Sequence, residues 1–566
     1  MRNYRFTVLL CICVVACIGL KAQDLGNLDK TKPFTWQGSV GASFNFYTST
    51  EKIYTQPPYA WNVYGNFTGT LYGVSLPVSF LVNQYGKSYS NPFTQFGISP
   101  TYKWAKLHLG YRNILFSPLT FEGQSFRGAG IELTPGILRF AAFAGRLNKS
   151  VNEDTSSGRL TMPQYSRKGY GMKIGVGNAS NYFDLIYFNA KDDSGSVQLL
   201  TKGGTIRPQE NAVIGSSFKI TLLKKISFTT DMALSGLTQD MALEKDSSES
   251  TSASRFFDKI LTANGSTTVA WAGQSLLSFN LSKFQATIGY RRVQPDFKSL
   301  GTPYMLNDVE VISLANNFSL SKGKLNIATS IGKQHNNLNK KLASELQTTT
   351  GNININNIFS PAFSLNINGA GYGLRQEDGF MKLNDSFRLK QQVLQLSASP
   401  VYLITASSGN TSISGNFTIG GLFDNNPATK EFNDNRNFSA SITGARYFTQ
   451  RSLNLSLTAL HNRFLQGTNE YTSTGLTAGA GTQLGKDKNL SLQGTAGYLF
   501  NNYESAKMGG NVTFSFNAGY QAGKQSLQAF TNYLITTPGN VLDPLKAPYA
   551  VSTKNFAGGI AYTYSF

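Results

Sequence analysis

Two short motifs in the chain carry the same chemistry: Gly110-Tyr111-Arg112 and Gly289-Tyr290-Arg291. Each precedes a stretch rich in aromatics, glycine and proline. Phe116, Ser117, Pro118, Phe121, Gly123 and Phe126 follow the first, and Pro295, Phe297, Gly301, Pro303 and Tyr304 the second. An arginine stays charged at physiological pH and presents five donors in a planar fork. Beside a constricting segment it either selects anions or ties the segment down through a salt bridge, and the spacing leaves both open. Arg139, Lys173 and Lys219 recur on the same side of alternating segments, with Glu132, Asp184 and Asp231 among them. These bases and acids form either a transverse field or a ladder of braces.

Acid–base and metal chemistry have little to work with. The histidines are His108, His335 and His461, and spacing assigns no serine or acid to His108. No catalytic residue is expected, and the chain is not read as an enzyme. Asp192-Asp193 and Asn433-Asp434 read as solvated loop, so neither a metal nor a cofactor is expected. Cys11, Cys13 and Cys17 all fall in the first 22 residues.

Those residues have the form of a signal peptide. Arg2 and Arg5 precede an apolar run from Thr7 to Leu20, too short to span a bilayer, and cleavage is expected after Ala22. Val14-Val15-Ala16-Cys17 also resembles a lipobox, which gives maturation at Cys17 as the competing reading. Cleavage after Ala22 removes every cysteine, and with them any disulfide framework, thiolate metal site or catalytic cysteine. It also takes Lys+Arg from 51 to 48 against 31 acids, leaving +17. Such a surplus suits anionic headgroups or attracts anionic solutes; nucleic acid is not expected in an exported compartment.

The elements that must position these charges are strands. After Ala22 no apolar stretch approaches the roughly 20 residues of a spanning helix. Charged residues make up 14% of the chain, against about 25% in ordinary soluble proteins. From Phe34 to Phe566 the chain repeats about ten residues of apolar–small alternation followed by a break. Trp36, Val40, Ala42, Phe44 and Phe46 share one face, and Gln37, Ser39, Ser43 and Asn45 the other. The pattern recurs at Leu76–Val82, Tyr170–Val176, Ile226–Leu234, Leu453–Ala459 and Val512–Ala518. One face meets lipid and the other water, the arrangement of a closed transmembrane antiparallel β-barrel. The expected organisation is therefore a signal peptide at 1–22, a short periplasmic segment at 23–33 and a barrel at 34–566.

Breaks alternate between short and long. Short ones include Tyr72-Gly73, Leu223-Lys224-Lys225, Lys322-Gly323 and 485–489; long ones include 148–167, 192–210, 237–266, 293–308, 373–388 and 535–553. Barrels of this kind keep short turns at the periplasm and long loops outside, so every short break is assigned to the periplasm. The count is 26 strands, or 24 if one hairpin is misread, with 389–423 read as two strands around a turn at Ser407 to Asn410.

The last strand alternates to its final residue through Phe556, Gly558, Ile560, Tyr562, Tyr564 and Phe566. It resembles the C-terminal signal that Gram-negative outer-membrane β-barrel proteins present to their insertion machinery. The resemblance covers about ten residues at this end, and the barrel pattern nearly all of the rest. It implies residence in the bacterial outer membrane, contact with its lipid, and an insertion signal at Tyr562, Tyr564 and Phe566. The eleven residues from Gln23 to Pro33 are too few for an N-terminal plug domain or periplasmic assembly domains.

A 26-strand barrel is roughly 50 Å across, too wide for small inward side chains to fill. Something must block it: inward loops, a partner, or flattening. The loop 237–266 is the internal candidate, because Ser252 can cap a short helix carrying Phe256, Phe257, Ile260 and Leu261. These four are expected to be buried inside or across the outer mouth. Two functions stay open. One is a solute channel or transporter with a loop-constricted lumen, modestly anion-preferring. The other is a structural subunit of a larger outer-membrane secretion or assembly complex, with an outer-membrane or lipoprotein partner filling the lumen.

Overall fold

A computed structural model describes residues 34–50, 58–72, 74–84, 95–152, 163–197, 206–244, 256–504, 506–538 and 552–566. The signal peptide, the segment 23–33, the cysteines and Ser252 lie outside the described residues.

Alternation of side chains gives each strand one apolar face, and closure of the sheet removes the unpaired edges that lipid would not tolerate. The described residues form 26 strands in one antiparallel sheet, counting Gln95–Ile98 and Thr101–Tyr102 as two runs of one strand interrupted at Ser99-Pro100. Pro100 has no N–H to give the ladder. Each strand pairs with its chain neighbours, and Phe34–Ser49 closes the ring. It sets Phe44 opposite Trp61 of Tyr59–Leu71 on one side and opposite Ile560 of Thr553–Ser565 on the other. The stretch read as two strands is Lys390–Ala406 and Gly409–Asp424.

Exposure follows the predicted faces. Tyr170, Met172, Ile174 and Val176 are exposed on the outer wall, while Gly171, Lys173 and Gly175 alternate with them on the inner one. At the seam Trp36 stacks on Phe67 at 4.6 Å, and Phe566 lies edge-on to Trp36 at 5.5 Å. The Phe566 N–H donates to Gly38 O at 2.9 Å, and Tyr562 and Tyr564 pair with Ala42 and Val40. The protein is thus a closed transmembrane barrel whose final residues lock its first strand.

Tight turns mark the periplasmic end. Leu223 and Lys224, at φ +52° and +58°, reverse the chain with the positive-φ pair that suits strand twist. The assignment of every short break to this end does not hold, however. Gly467-Thr468 joins Leu453–Gln466 to Asn469–Leu484 at the extracellular end. Gly467 at φ +58° lets the chain reverse there in two residues.

The buried core does not run around the wall. It lies inside, in the N-terminal half, and its members run from Ile114 to Val309. By contrast, inward residues such as Asn352, Asn368, Gln395, Asn416, Gln493 and Asn517 in the C-terminal half are exposed.

Candidate functional site

The N-terminal core is built by two extracellular loops that fold inward. The first, 113–125, leaves the strand Ala105–Arg112 and tightens around Ser117, whose carbonyl accepts from Thr120 N and Phe121 N, both at 3.2 Å. This turn aims Phe116 and Phe121 at the inner wall. Phe121 packs 4.3 Å from Phe143 and 5.4 Å from Phe188, and Phe116 lies 5.6 Å from Phe143. Phe121, Phe126 and Phe188 are fully buried, each contributing about 1.5–3 kcal/mol by burial.

The second loop, 294–308, follows Phe284–Val293 and lies against the first. Ser299 Oγ donates to Thr120 O at 2.6 Å, and Glu122 N donates to Gly301 O at 3.0 Å. A Cβ at Gly301 would stand 2.6 Å from Thr120 O and 2.8 Å from Phe121 Cδ2, so only glycine allows this approach. Asn211, fully buried on the strand Glu210–Leu222, straps the loop to the wall. Its amide donates to Lys298 O at 3.1 Å and its oxygen accepts from Leu300 N at 3.0 Å. Ser235 Oγ donates to Lys298 O at 2.6 Å.

Most of the inward charges chosen from sequence are engaged by this core or by the wall. Arg139 holds buried Asp184 in a bidentate pair at 2.7 and 2.9 Å. The pair spans the intervening strand over Gly175, where any Cβ would collide with Asp184 Oδ1. Lys173 Nζ donates to Leu115 O of the first loop at 3.1 Å and stands over the Phe116 ring. Arg112 lies along the wall, donating to Ser79 Oγ at 2.8 Å and to the carbonyls of Pro77 and Gly97. Asp231 accepts from Gln274 at 3.0 Å. Among the described residues, Lys219 and Arg291 have neither an ion pair nor a side-chain hydrogen bond, and Arg291 faces Glu122 of the first loop.

Glu132 completes a line that spacing did not reveal. Its carboxylate lies 2.7 Å from His108 Nε2 and 3.2 Å from Lys106 Nζ, while Ser99 Oγ lies 3.0 Å from His108 Nδ1. The order hydroxyl–imidazole–carboxylate is that of a nucleophile set. Ser99 and His108 are only 5% and 2% exposed, so the hydroxyl is closed to a substrate and the line satisfies an imidazole inside the wall. Ser99 was hidden because it occupies the break in its strand, where alternation is lost.

The segment 256–261 is placed differently from the sequence reading. Phe257 and Leu261 are buried, but against Ala212, with Tyr187, Leu234 and Val269 around them. Those are outward positions: Leu234 pairs with Ile214 and Trp271, and Met232 on the same face is 60% exposed. The segment therefore packs on the outer side of the rim. Ile260 is half-buried and Phe256 is exposed, against the expected burial of both. Gly236 leaves an outer hollow that the Phe257 ring fills, whereas the inner side at this height is already taken by Ser235 and Leu237 under the second loop.

A closed barrel with an aromatic and aliphatic outer wall and an in-folded lumenal core defines a transmembrane β-barrel. Among solved structures the chain resembles Pseudomonas aeruginosa OpdQ at 13% identity, covering 60% of this chain and 93% of that one, with a TM-score of 0.33. It resembles Acinetobacter baumannii OccAB4 at 9% identity, covering 95% and 100%, with a TM-score of 0.29. The P pilus usher (PapC) translocation pore matches at 10% identity over 94% and 99%, with a TM-score of 0.27. No family model and no curated protein matches the chain.

Proposed function

We propose that the protein is an outer-membrane channel for hydrophilic solutes, with passage along the C-terminal half of the lumen and a modest preference for anions. The observation that carries this reading is the division of the lumen. Loops 113–125 and 294–308 are bonded to each other and to the N-terminal wall, whereas the amides of the opposite wall are exposed to the lumen. Fixed loops narrow a barrel roughly 50 Å wide without closing its polar side. Inward amides and hydroxyls there bond one another, as Asn352 to Ser330 at 2.6 Å and Thr443 to Thr458 at 2.9 Å. Such a lining hydrates a passing solute without holding it.

The anion preference rests on what pairing leaves over. Arg139 is neutralised by Asp184, and Glu132 by Lys106. Arg112, Lys173, Lys219 and Arg291 have no acid within ion-pair distance among the described residues, against Asp231 and the rim's Asp424 as inward acids bonded only to neutral groups. Arg112 and Lys173 are fastened to carbonyls, so Lys219 and Arg291 are the selectivity residues.

Planar-bilayer recording of the purified barrel tests the proposal. A steady conductance with a reversal potential on the anion side supports it. A non-conducting barrel that purifies with a stoichiometric partner refutes it in favour of a subunit whose lumen is filled by that partner.

A further inference from the structure

The outer wall carries a feature the lumen does not explain. Between the strands Leu325–His335 and Leu453–Gln466, toward the extracellular end, outward positions fall repeatedly on glycine: Gly351, Gly369, Gly371 and Gly373. Ile353 and Leu394 lean over this stripe without filling it; a Cβ at Gly371 would reach Leu394 Cδ2 at 2.7 Å. What remains is an apolar groove of ≈ 1060 Å³ on the lipid-facing surface, floored by the glycines and walled by Ile331, Leu394, Leu396 and Ile419.

Basic residues border this groove on two sides. Arg436 and Arg463 line its flank. An adjoining hollow toward the rim shares Thr349, Gly373 and Gln392 with the groove and is lined by Lys333, Arg375 and Lys390. By the strand register all five cations share the outward face with Ile331, Leu394 and Ile419. Three of the nearby acids already hold cations, and Asp434 accepts the Asp424 N–H. Glu377 is bonded by Arg375 and Arg388, Glu345 by Lys340, and Glu470 by Arg463. Among the described residues Lys333, Lys390 and Arg436 have no ion pair and no side-chain hydrogen bond. Three unmatched cations beside an apolar groove, on a surface facing lipid, leave positive charge that an anion complements.

We propose that this face binds a phosphorylated glycolipid of the outer leaflet, its phosphates on Lys333, Lys390 and Arg436 and an acyl chain in the glycine groove. Charge complementarity selects the phosphate. The apolar groove selects a lipid over a free anion, and the extracellular position selects the outer leaflet. The site lies on the opposite side of the wall from the lumen, so it stands whether or not the barrel conducts.

Native mass spectrometry of the full-length barrel in mild detergent tests the site, with diphosphoryl lipid A, its dephosphorylated form and dioleoylphosphatidylglycerol as probes. The expected result is retention of diphosphoryl lipid A at least tenfold tighter than of the other two. Lys333→Gln/Lys390→Gln/Arg436→Gln should abolish that margin, whereas Lys224→Gln/Lys488→Gln, at exposed turns of the periplasmic end, should keep it. All variants are first confirmed as folded by heat-modifiable migration. Equal retention of the dephosphorylated lipid, or undiminished binding by the triple variant, would overturn the site. Phosphatidylglycerol retained as tightly as lipid A would overturn the assignment to the outer-leaflet glycolipid.

Discussion

Asn211→Ala should release the second loop while leaving the barrel wall intact. The carboxamide donates to Ser235 Oγ and Gly236 O, both at 2.8 Å, and to Lys298 O at 3.1 Å, and it accepts from Leu300 N at 3.0 Å. In the variant Lys298 O keeps the Ser235 hydroxyl at 2.6 Å, but the buried Leu300 N–H loses its only acceptor. An orphaned buried donor costs about 1–3 kcal/mol, and the second lost loop bond adds about 1, so the loop is loosened by about 2–4 kcal/mol. At 1.4 kcal/mol per decade the ratio of docked to undocked loop falls by about 30- to 700-fold. Single-channel recording reads this as excursions to a higher conductance level absent from the unaltered protein. Asn352→Ala, which removes an exposed amide from the uncovered wall, is the control and should change nothing. A folded, heat-modifiable Asn211→Ala barrel with unaltered conductance and noise would show that the second loop does not constrict the lumen.

Three further outcomes are expected. Arg139→Met leaves the Asp184 carboxylate, 1% exposed, buried without its partner at a cost of about 3–5 kcal/mol; the temperature at which the folded band is lost should drop, and Arg139→Met/Asp184→Leu should recover most of it. Phe257→Ala with Leu261→Ala empties the outer hollow at Gly236 and should leave conductance unchanged, since these side chains pack outside the rim; larger conductance would put the segment in the mouth. Lys219→Gln with Arg291→Gln should move the reversal potential toward cations, whereas Arg112→Gln should mainly lower thermal stability, because Arg112 is spent on Ser79 and two wall carbonyls.

Strand identity was legible because lipid enforces it. Within the lipid-facing band outward positions are apolar or small, with outward charges such as Lys333 and Arg436 kept to the extracellular end, and alternation therefore survives through the whole barrel, including the hairpin at Ser407-Ser408. Topology was legible for a related reason, since a meander needs only the order of the breaks. The exception at Gly467-Thr468 arises because a strand pair has no physical need of a long loop at either end. At Ser99-Pro100 the pattern breaks, and the partner of His108 was lost with it.

What blocks the lumen was also written in the sequence, but in the wall rather than in the loops. The strand Tyr182–Asp193 places Phe183, Leu185 and Tyr187 outward and Ile186, Phe188 and Ala190 inward. A strand with water inside has no reason to be apolar on both faces, so Ile186 and Phe188 require something apolar against them. Val213 on the next strand and Phe143 two strands away make the same demand. The loops that meet it are 113–125 and 294–308, in which Phe116, Phe121 and Phe297 supply the buried area and Gly301 lets the two backbones touch. Length and a helical spacing favoured 237–266 instead, yet Phe257 and Leu261 fill an outer hollow where Ala212 and Gly236 leave room. In a barrel this wide, inward apolar residues locate a plug more reliably than loop length does, since a loop becomes a plug only where the wall gives it a surface on which to bury.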